Sequence, residues 1–313
     1  MDFSDNIVER EQAIYKAGLE GRFQIEWANV TSSIPGYDAV FMVTRDAVKI
    51  DGVRFNVSAY LLQTLCDYLG SMMLTPKIAD LMWAQRAVTL TPHPRPITSS
   101  TAGMLAHSGD IDRELQKLGG ASEGIINTVG KYWTLSNGML QNPGRAENYG
   151  WHFIGSNFQG LTGEPCVSIP GQRLIQGRGW AHDARHTDYS QICTMMSVGC
   201  FVNGEPMDVR DVLQNPDMAG LANHDGVLRV LRQPGVDESS ITDPIAKNEV
   251  DEGPFARGTM AAEFASILPG GSADPKGTLS VLGPLAAGAV IGWISANAVI
   301  ELGEYGRRPR RAR

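Results

Sequence analysis

The chain has 313 residues, of which 42% are apolar and 19% are charged. That length is enough to bury a full core in one large domain, or in one domain with an appendage, and the composition is typical of a globular protein. The formal net charge of −7 argues against a general nucleic-acid binder, because nonspecific binding needs lysine and arginine to displace phosphate counterions.

The cysteines and the first residues indicate the compartment. The chain has four cysteines and no C-x-x-C pair, a pattern that favours neither a disulfide framework nor a cysteine-rich zinc site. Residues 1–6 are acidic and polar, without the basic and apolar regions of a secretory signal. We therefore expect reduced and mostly buried thiols, and synthesis in the cytoplasm. A virion location is compatible with the same start.

Residues 40–57 are predicted to form a β-hairpin. Apolar residues alternate with polar or small ones before the turn and again over residues 53–57. The dipeptide Asp51-Gly52 between them is typical of a tight hairpin turn, because both of its positions tolerate a positive φ.

Two helices are predicted after this hairpin. Ser58 can cap the first, whose leucines recur at helical spacing and which ends at Gly70. Thr75 begins the second, with Pro76 in the first-turn position, and this helix should run to about Ala87.

The middle of the chain alternates between short elements and irregular stretches. The prolines within 92–96 predict an extended crossing segment, and 110–118 predicts a short helix that ends at two glycines. Residues 125–140 look β-rich, with Asn137-Gly138 as a tight turn. Proline and glycine crowd 142–179, which predicts a long irregular segment of the kind that often carries function.

A strand is predicted over 192–202, with a turn at Asn203-Gly204. Short helical stretches are predicted at 209–213 and 218–222. No internal repeat at a fixed period is present in the sequence.

Composition divides the chain into four parts. We predict an N-terminal extension at 1–37, a main domain at 38–235, a linker at 236–254 and an apolar C-terminal element at 255–313. The linker is rich in acidic residues, serine and proline, as is usual at domain boundaries.

The uncharged segment Leu285–Ile300 leaves three interpretations open. It carries Gly288-x-x-x-Gly292 and is followed by an arginine-rich tail, as in membrane helices that pack through small residues. It is barely long enough for a membrane span and contains Asn297, so a membrane helix is not favoured. The others are a small β module, and a strand or helix that packs on the main domain or on a neighbouring subunit.

The strongest chemical signal is a group of histidines and acids within 150–190. Histidine titrates near neutral pH and binds metals, so the group suits acid–base catalysis or a divalent metal such as zinc. The spacing His182-x-x-x-His186 matches a zinc-protease helix, but the flanking glycines and the lack of apolar periodicity argue against a helix there. The candidate catalytic residues are His152, His182, Asp188, Tyr189 and Ser190. The candidate metal ligands are His152, His182, His186 and Asp188.

Other roles for these side chains stay open. A histidine oriented by a carboxylate could activate Ser190 or Cys193, although a cysteine at the start of a strand is more often a core residue. His152 lies between two aromatic residues and could equally be a buried histidine with a backbone partner. The three remaining histidines are expected at the surface or in a turn; they are His93, His107 and His224.

Nucleotide chemistry is not indicated. The sequence contains no G-x-x-x-x-G-K-[ST] phosphate loop, no G-x-G-x-x-G after a strand and no G-x-S-x-G nucleophile elbow.

The order of five short segments resembles an uncharacterised bacterial family. Its members carry T-x-D-Y-L-x-I-G, L-P-T-x-K-M-V-D, G-W-H, I-Q and D-Y-S-H-G in this order. The counterparts here span about residues 38–235; they are 44–50, 74–80, 150–152, 175–176 and 188–190. The resemblance implies a shared fold and a shared site, with His182 matching a histidine before the D-Y-S segment.

Two departures from that pattern bear on activity. Gln191 stands where the family has a histidine, and the stretch between His152 and Ile175 is longer. If the family's histidine is catalytic, the resemblance implies either an inactive site here or replacement by His186.

We predict an α+β fold, with a mixed or antiparallel sheet, flanking helices and a small C-terminal element. The leading functional hypothesis is a metal- or histidine-dependent hydrolase of an amide or glycan polymer such as bacterial cell wall, as in phage lysins. His152 and His182 would be ligands or acid–base groups, Asp188 the orienting carboxylate and Tyr189 a donor to an oxyanion.

The alternative is a structural or assembly protein, such as a phage tail or capsid component with a decayed site. Gln191 and the apolar C-terminus favour this alternative, in which 279–313 would mediate assembly. The expected partners are thus a polymeric substrate, or copies of the chain joined through the C-terminal element. A nucleic-acid partner is not expected, and a membrane is not favoured.

Overall fold

The computed structural model describes residues 2–120, 123–155, 158 and 163–236. The predicted C-terminal element at 255–313, including Leu285–Ile300, lies outside the described residues, as does the linker beyond Val236. Within the described part of the chain, no helix has both the length and the apolar character needed to cross a membrane.

The described residues form an α+β structure, which confirms the predicted fold class. Its α-helices are α1 (Ile7–Leu19), α2 (Ala59–Tyr68), α3 (Pro76–Ala84), α4 (Thr101–Lys117) and α5 (Val209–Gln214). Its first strands are β1 (Phe23–Gln24), β2 (Trp27–Ile34), β3 (Tyr37–Thr44), β4 (Lys49–Ile50), β5 (Val53–Arg54), β6 (Ser71–Met72) and β7 (Val88–Thr89). The later strands are β8 (Ile126–Asn127), β9 (Lys131–Thr134), β10 (Arg145–Ile154), β11 (Glu164–Pro165), β12 (Gln172–Asp183), β13 (Met196–Val202) and β14 (Glu205–Asp208).

Two antiparallel sheets dominate the fold. The first has the order β14-β13-β3-β2, with β6 also paired to β13, and the second has the order β11-β12-β10-β9. A small sheet β1-β4-β5 and a parallel pair β7-β8 complete the arrangement. Ile14 of α1 and Val30 of β2 are fully buried in the same core as the main sheets. Residues 7–34 therefore share their core with the segment predicted as the main domain.

The predicted hairpin at 40–57 is correct in its turn and wrong in its pairing. Asp51 and Gly52 have φ values of 50° and 81° and join β4 to β5. Strand β3, however, pairs with β2 on one side and β13 on the other, so its backbone has no free edge for residues 53–57. The prediction missed the earlier turn at Gly36, whose φ of 87° joins β2 to β3.

The two early helices begin at their predicted caps. The Ser58 side chain accepts a hydrogen bond from the Leu61 amide at 3.1 Å, and Thr75 accepts one from the Ile78 amide at 3.2 Å. Helix α2 closes before Gly70, which has a φ of 61°. Helix α3 ends at Ala84, three residues before the predicted end.

Helix α4 is longer than predicted and buries a histidine that we expected at the surface. Its C-terminal end before two glycines was predicted, but it begins at Thr101 because Ser100 caps it. Glycines inside its first turns obscured this start, and Gly103 is needed there because a Cβ would lie 2.4 Å from Thr98. His107 is only 2% exposed, with its ring edge-on to Trp151 at 5.9 Å.

The segment predicted to be irregular, 142–179, contains most of the second sheet. Strand β10 pairs with β12, and register shifts occur between Ala146 and Asn148 and between Asn148 and Gly150. Gly150 has a φ of 110°, and a Cβ there would meet the Tyr132 ring at 2.7 Å. Part of the glycine content therefore lies within strands, where Gly150 permits a bulge and close packing.

Candidate functional site

The most highly connected polar group in the described structure is the carboxylate of Asp80, in the middle of α3. The residue is 4% exposed, and four oxygen and nitrogen donors converge on its two oxygens, with the Cys166 thiol as a fifth and weaker donor. On Oδ1 these are the Tyr149 hydroxyl at 2.7 Å and His152 Nε2 at 2.7 Å. On Oδ2 they are His224 Nε2 at 2.8 Å and the Ser168 hydroxyl.

A distortion of β10 brings Tyr149 and His152 to the same carboxylate. Residues three apart on a regular strand point to opposite faces of the sheet. Here Gly150 and Trp151 take φ values of 110° and 59°, next to a register shift, so the strand turns over between the two side chains. Only glycine adopts the first of these conformations without strain, which explains its place before Trp151.

Helix α3 also holds the loop that carries His224. The Thr75 hydroxyl and the Lys77 ammonium donate to the carbonyl oxygens of Ala222 and Gly220. These residues adjoin His224, whose side chain is 34% exposed, in a segment predicted to be a turn. One helix thus supplies the carboxylate and positions the histidine that reaches it from the surface.

The strand connection between β11 and β12 contributes a thiol and a hydroxyl. Cys166 is 3% exposed, and its Sγ lies 3.6 Å from Asp80 Oδ1 and 3.4 Å from the Ser168 hydroxyl oxygen. Two hydrogen bonds to Gln172 hold this connection. The Cys166 amide donates to the Gln172 carbonyl at 2.9 Å, and the Trp83 indole donates to the Gln172 side-chain oxygen at 3.2 Å.

The negative charge of the site is the ionised carboxylate of Asp80. Burial alone would raise the pKa of this carboxyl, but the hydrogen bonds from His152 and His224 outweigh burial and hold the pKa well below 3.8. Burial and the adjacent Asp80 charge together raise the pKa of Tyr149 far above its usual value. Asp80 is therefore ionised and Tyr149 remains a neutral donor at any physiological pH.

His152 is a fully buried member of this group. It has no exposed surface, and its ring stacks on Trp83 with centroids 5.5 Å apart and planes inclined by 15°. Burial lowers the pKa of His152, although Asp80 opposes the shift, so the imidazole stays neutral. Its Nδ1 atom has no hydrogen-bond partner among the described residues.

Asp188 belongs to a second polar cluster. Its Oδ2 pairs with Lys131 Nζ at 2.7 Å, and its Oδ1 accepts the Ser190 hydroxyl at 2.7 Å and the Ser190 amide at 2.8 Å. Burial would raise the pKa of Asp188, but the Lys131 charge and the bonds from Ser190 lower it. Gln191 joins the cluster, because its side-chain oxygen accepts the Asp188 amide at 2.7 Å.

Two predicted site histidines stack on each other beside this cluster. The His182 and His186 rings are 3.9 Å apart with planes inclined by only 6°, and Trp133 meets His182 edge-on. Burial lowers the pKa of both histidines, and each lies close enough to Lys131 and Asp188 to feel their charges. The pair lies at the end of β12 and in the turn after it, not on a helix, which agrees with setting aside the zinc-protease pattern.

The predicted four-residue ligand set is divided between the two clusters. Across the β10–β12 pair, His182 lies opposite Ala146 and Leu174 lies opposite His152. The position opposite His182 is therefore six residues from His152 along β10, and the two side chains belong to different clusters. The expectation that His152 joins His182, His186 and Asp188 around one ion is therefore corrected, because a shared ion needs ligands within about 2 Å of it.

Tyr189 and Ser190, predicted as catalytic residues, make structural contacts in this structure. The Tyr189 hydroxyl accepts the Arg95 amide at 2.6 Å and donates to the Arg95 carbonyl at 3.0 Å, so both of its hydrogen-bonding capacities hold the proline-rich segment. Ser190 has no exposed surface, and its hydroxyl is committed to Asp188. The Cys193 thiol is fully buried, as predicted for a core cysteine, and burial raises its pKa.

Sequence reasoning found His152 but missed its partners. Asp80, Cys166 and Ser168 were not proposed as site residues, and His224 was expected only in a turn. One signal was present: Asp80 ends the segment 74–80 that resembles the bacterial family, and His152 ends the segment 150–152. The structure joins these two segments through the bond between Asp80 Oδ1 and His152 Nε2.

No protein-family model, curated protein or solved structure matches the chain. Among the described residues, one group of three side chains has ligand atoms close enough to hold a metal ion together, and it is Asp80, His152 and Cys166, whose ligand atoms all lie within 4.8 Å of one another.

Proposed function

We propose that the protein is a hydrolase in which His224, oriented by Asp80, activates a water molecule for attack on an amide bond of a polymeric substrate. The observation that carries the proposal is the bond of 2.8 Å between His224 Nε2 and Asp80 Oδ2, made by a histidine that is 34% exposed. A buried carboxylate that orients an accessible imidazole is a recurrent arrangement for general-base catalysis.

His224 supports this role through its two nitrogens. Its Nε2 faces an ionised carboxylate and therefore carries the proton, which leaves the Nδ1 lone pair to accept a proton from water. The hydroxide formed would attack the carbonyl carbon, and the imidazolium would return its proton to the leaving nitrogen. Throughout this cycle the negative charge of Asp80 stabilises the imidazolium.

The other donors keep the carboxylate in place for that task. His152 and Tyr149 bind Oδ1 from inside the fold, where neither histidine nitrogen has exposed surface. Ser168 binds Oδ2 beside His224. In this proposal His152 is a positioning residue, and its predicted catalytic role becomes an indirect one.

An amide bond fits the site better than a glycosidic bond. Glycosidases use two carboxyl groups, one of which must be protonated to act as the acid. Asp80 accepts hydrogen bonds from four oxygen or nitrogen donors and one thiol and has a lowered pKa, so it does not serve as a proton donor. The neighbouring Asp225 is held by Arg178 in a bidentate ion pair, with bonds of 3.1 and 2.8 Å. Bacterial cell wall, whose peptide stems contain amide bonds, remains the proposed polymer.

The experiment measures new chemical ends in purified peptidoglycan incubated with the full chain. Amide hydrolysis releases amino groups, whereas glycan hydrolysis releases reducing ends, so the two assays separate the bond classes. We expect amino groups only, at a rate that His224→Gln lowers by about 100-fold or more.

His93→Gln is the matched control, because His93 also bonds a carboxylate, Glu114, at 2.8 Å and its side chain is 25% exposed. This variant should keep the wild-type rate. If neither kind of end appears, or if His224→Gln is as active as the wild type, the proposal is wrong. The assembly alternative stays a prediction, since 279–313 lies outside the described residues.

A further inference from the structure

The geometry points to a binding site for a divalent transition-metal ion of the zinc class, with Asp80, His152 and Cys166 as its ligands. These residues come from three separate parts of the fold: α3, β10 and the connection between β11 and β12. All three are buried, and their ligand atoms lie within 4.8 Å of one another. The inference goes beyond the proposed hydrolysis, because metal binding is measurable without any substrate.

The spacing of the ligand atoms suits a tetrahedral ion. With a thiolate at about 2.3 Å and a carboxylate oxygen at about 2.0 Å, tetrahedral geometry separates the two ligands by about 3.5 Å. The observed distance between Cys166 Sγ and Asp80 Oδ1 is 3.6 Å. A nitrogen and an oxygen on the same ion would be about 3.3 Å apart. His152 Nε2 and Asp80 Oδ1 are 2.7 Å apart, so an ion would widen this hydrogen bond by about 0.6 Å.

The types of donor select the class of ion. Calcium and magnesium bind almost entirely through oxygen, whereas a set of one thiolate, one imidazole and one carboxylate suits zinc and its neighbours. Three protein ligands would also leave one tetrahedral position for an exogenous group.

Charge balance favours occupancy. A divalent cation would take the negative charges of the carboxylate and of the Cys166 thiolate, which gives a neutral group. One proton would leave the thiol, and the His152 proton would move from Nε2 to Nδ1.

Asp80 is already supported as a ligand would be. Its Oδ1 is the oxygen near both His152 and Cys166, while Oδ2 accepts from His224 at 2.8 Å and from Ser168. The second oxygen could keep those two bonds while the first binds the ion. Outer partners of this kind fix the orientation of ligating carboxylates and raise metal affinity.

The test is titration of the purified full chain, first dialysed against a chelator, with Co²⁺ and then with Zn²⁺ as competitor. We expect about one Co²⁺ per chain, a near-ultraviolet absorption band from cobalt–thiolate charge transfer, and loss of the band when Zn²⁺ displaces the cobalt. Cys166→Ser should lose the band and weaken Zn²⁺ binding by about 10-fold or more.

Cys200→Ser is the matched control, since Cys200 is also a buried free thiol but bonds only to the Met207 carbonyl, at 3.5 Å. It should bind both ions as the wild type does. A wild type that takes up no Co²⁺, or a band that persists in folded Cys166→Ser, overturns the inference.

A measurement on the wild type alone covers the case in which Cys166→Ser does not fold. Co²⁺ binding should release about one proton per ion near neutral pH, from the Cys166 thiol, and zero release overturns thiolate ligation. The outcomes for metal and for hydrolysis are separable. Metal binding without amide hydrolysis defeats only the proposed function, and hydrolysis by a chain that binds no ion defeats only the metal site.

Discussion

Replacement of Asp80 by asparagine tests the core of the site most directly. The side chain keeps its shape, but its charge disappears and one of its two oxygens becomes an NH₂ group. If the remaining oxygen faces the buried Tyr149 and His152, the amide group faces the donors of Ser168 and His224, which lie nearer the surface.

The cost follows from the hydrogen bonds. Bonds to an ionised acceptor are roughly twice as strong as neutral ones and contribute about 1.5–3 kcal/mol each. The substitution should remove about half of this energy at each of the two buried donors, Tyr149 and His152, and less at Ser168 and His224, which water can satisfy. The free energy of unfolding should therefore fall by about 2–4 kcal/mol.

The assay is urea unfolding at pH 7 and at pH 5, with Asp217→Asn, a change at an exposed carboxylate, as the control. The pKa of Asp80 is lower in the folded chain than its ordinary 3.8. Its contribution is therefore fully present above pH 3.8 and is lost as the pH falls through the folded value. The cost should accordingly be equal at pH 7 and pH 5. An Asp80→Asn protein as stable as the control would refute the idea of a charge held by four donors.

Three further predictions concern stability. His107→Phe should flatten the pH dependence of the unfolding free energy. Burial lowers the pKa of His107 from 6.5 to about 4, so the wild type loses up to about 3 kcal/mol of stability as the pH falls between these values. An unchanged slope in the variant would exclude this cause. Lys131→Met should lower the unfolding free energy by about 3–5 kcal/mol at pH 7, because it leaves the buried Asp188 without its cation. The loss should shrink in acid, where Asp188 takes up a proton. Equal losses at pH 7 and in acid would argue against the ion pair. Gly150→Ala should lower the unfolding free energy by about 1–3 kcal/mol more than Gly144→Ala. Both glycines have positive φ, but only at Gly150 would a Cβ meet an aromatic ring, at 2.7 Å. Equal losses would assign the effect to the backbone alone.

Local signals in the sequence predicted several of the caps and turns. Ser58, Thr75 and Gly70 delimit helices, and Asp51-Gly52 and Asn203-Gly204 form turns, because these residues act through contacts with their own neighbours in the chain. The α+β class followed from the mixture of such elements. The strand pairing did not, since β3 has its partners in β2 and β13, and a local pattern cannot show which distant strand takes a free edge.

The abundance of glycine was a misleading signal in one part of this chain. Its abundance in 142–179 predicted a loop, yet Gly150 lies inside β10, where a neighbouring ring leaves no room for a side chain. Composition cannot distinguish a glycine that bends a loop from one that permits a bulge against a packed neighbour, because the difference lies in atoms from elsewhere in the chain.

The sequence alone singled out His152 as a candidate site residue, but not what surrounds it. The grouping of histidines within 150–190 suggested one cluster, whereas the structure puts His152 beside Asp80 and stacks His182 on His186. Only the tertiary structure decided that His152 and His224, which lie 72 and 144 positions after Asp80 in the chain, meet at the Asp80 carboxylate. The physical reason is that a buried charge is stable only where the fold gathers enough donors around it, and those donors come from whichever segments pack there.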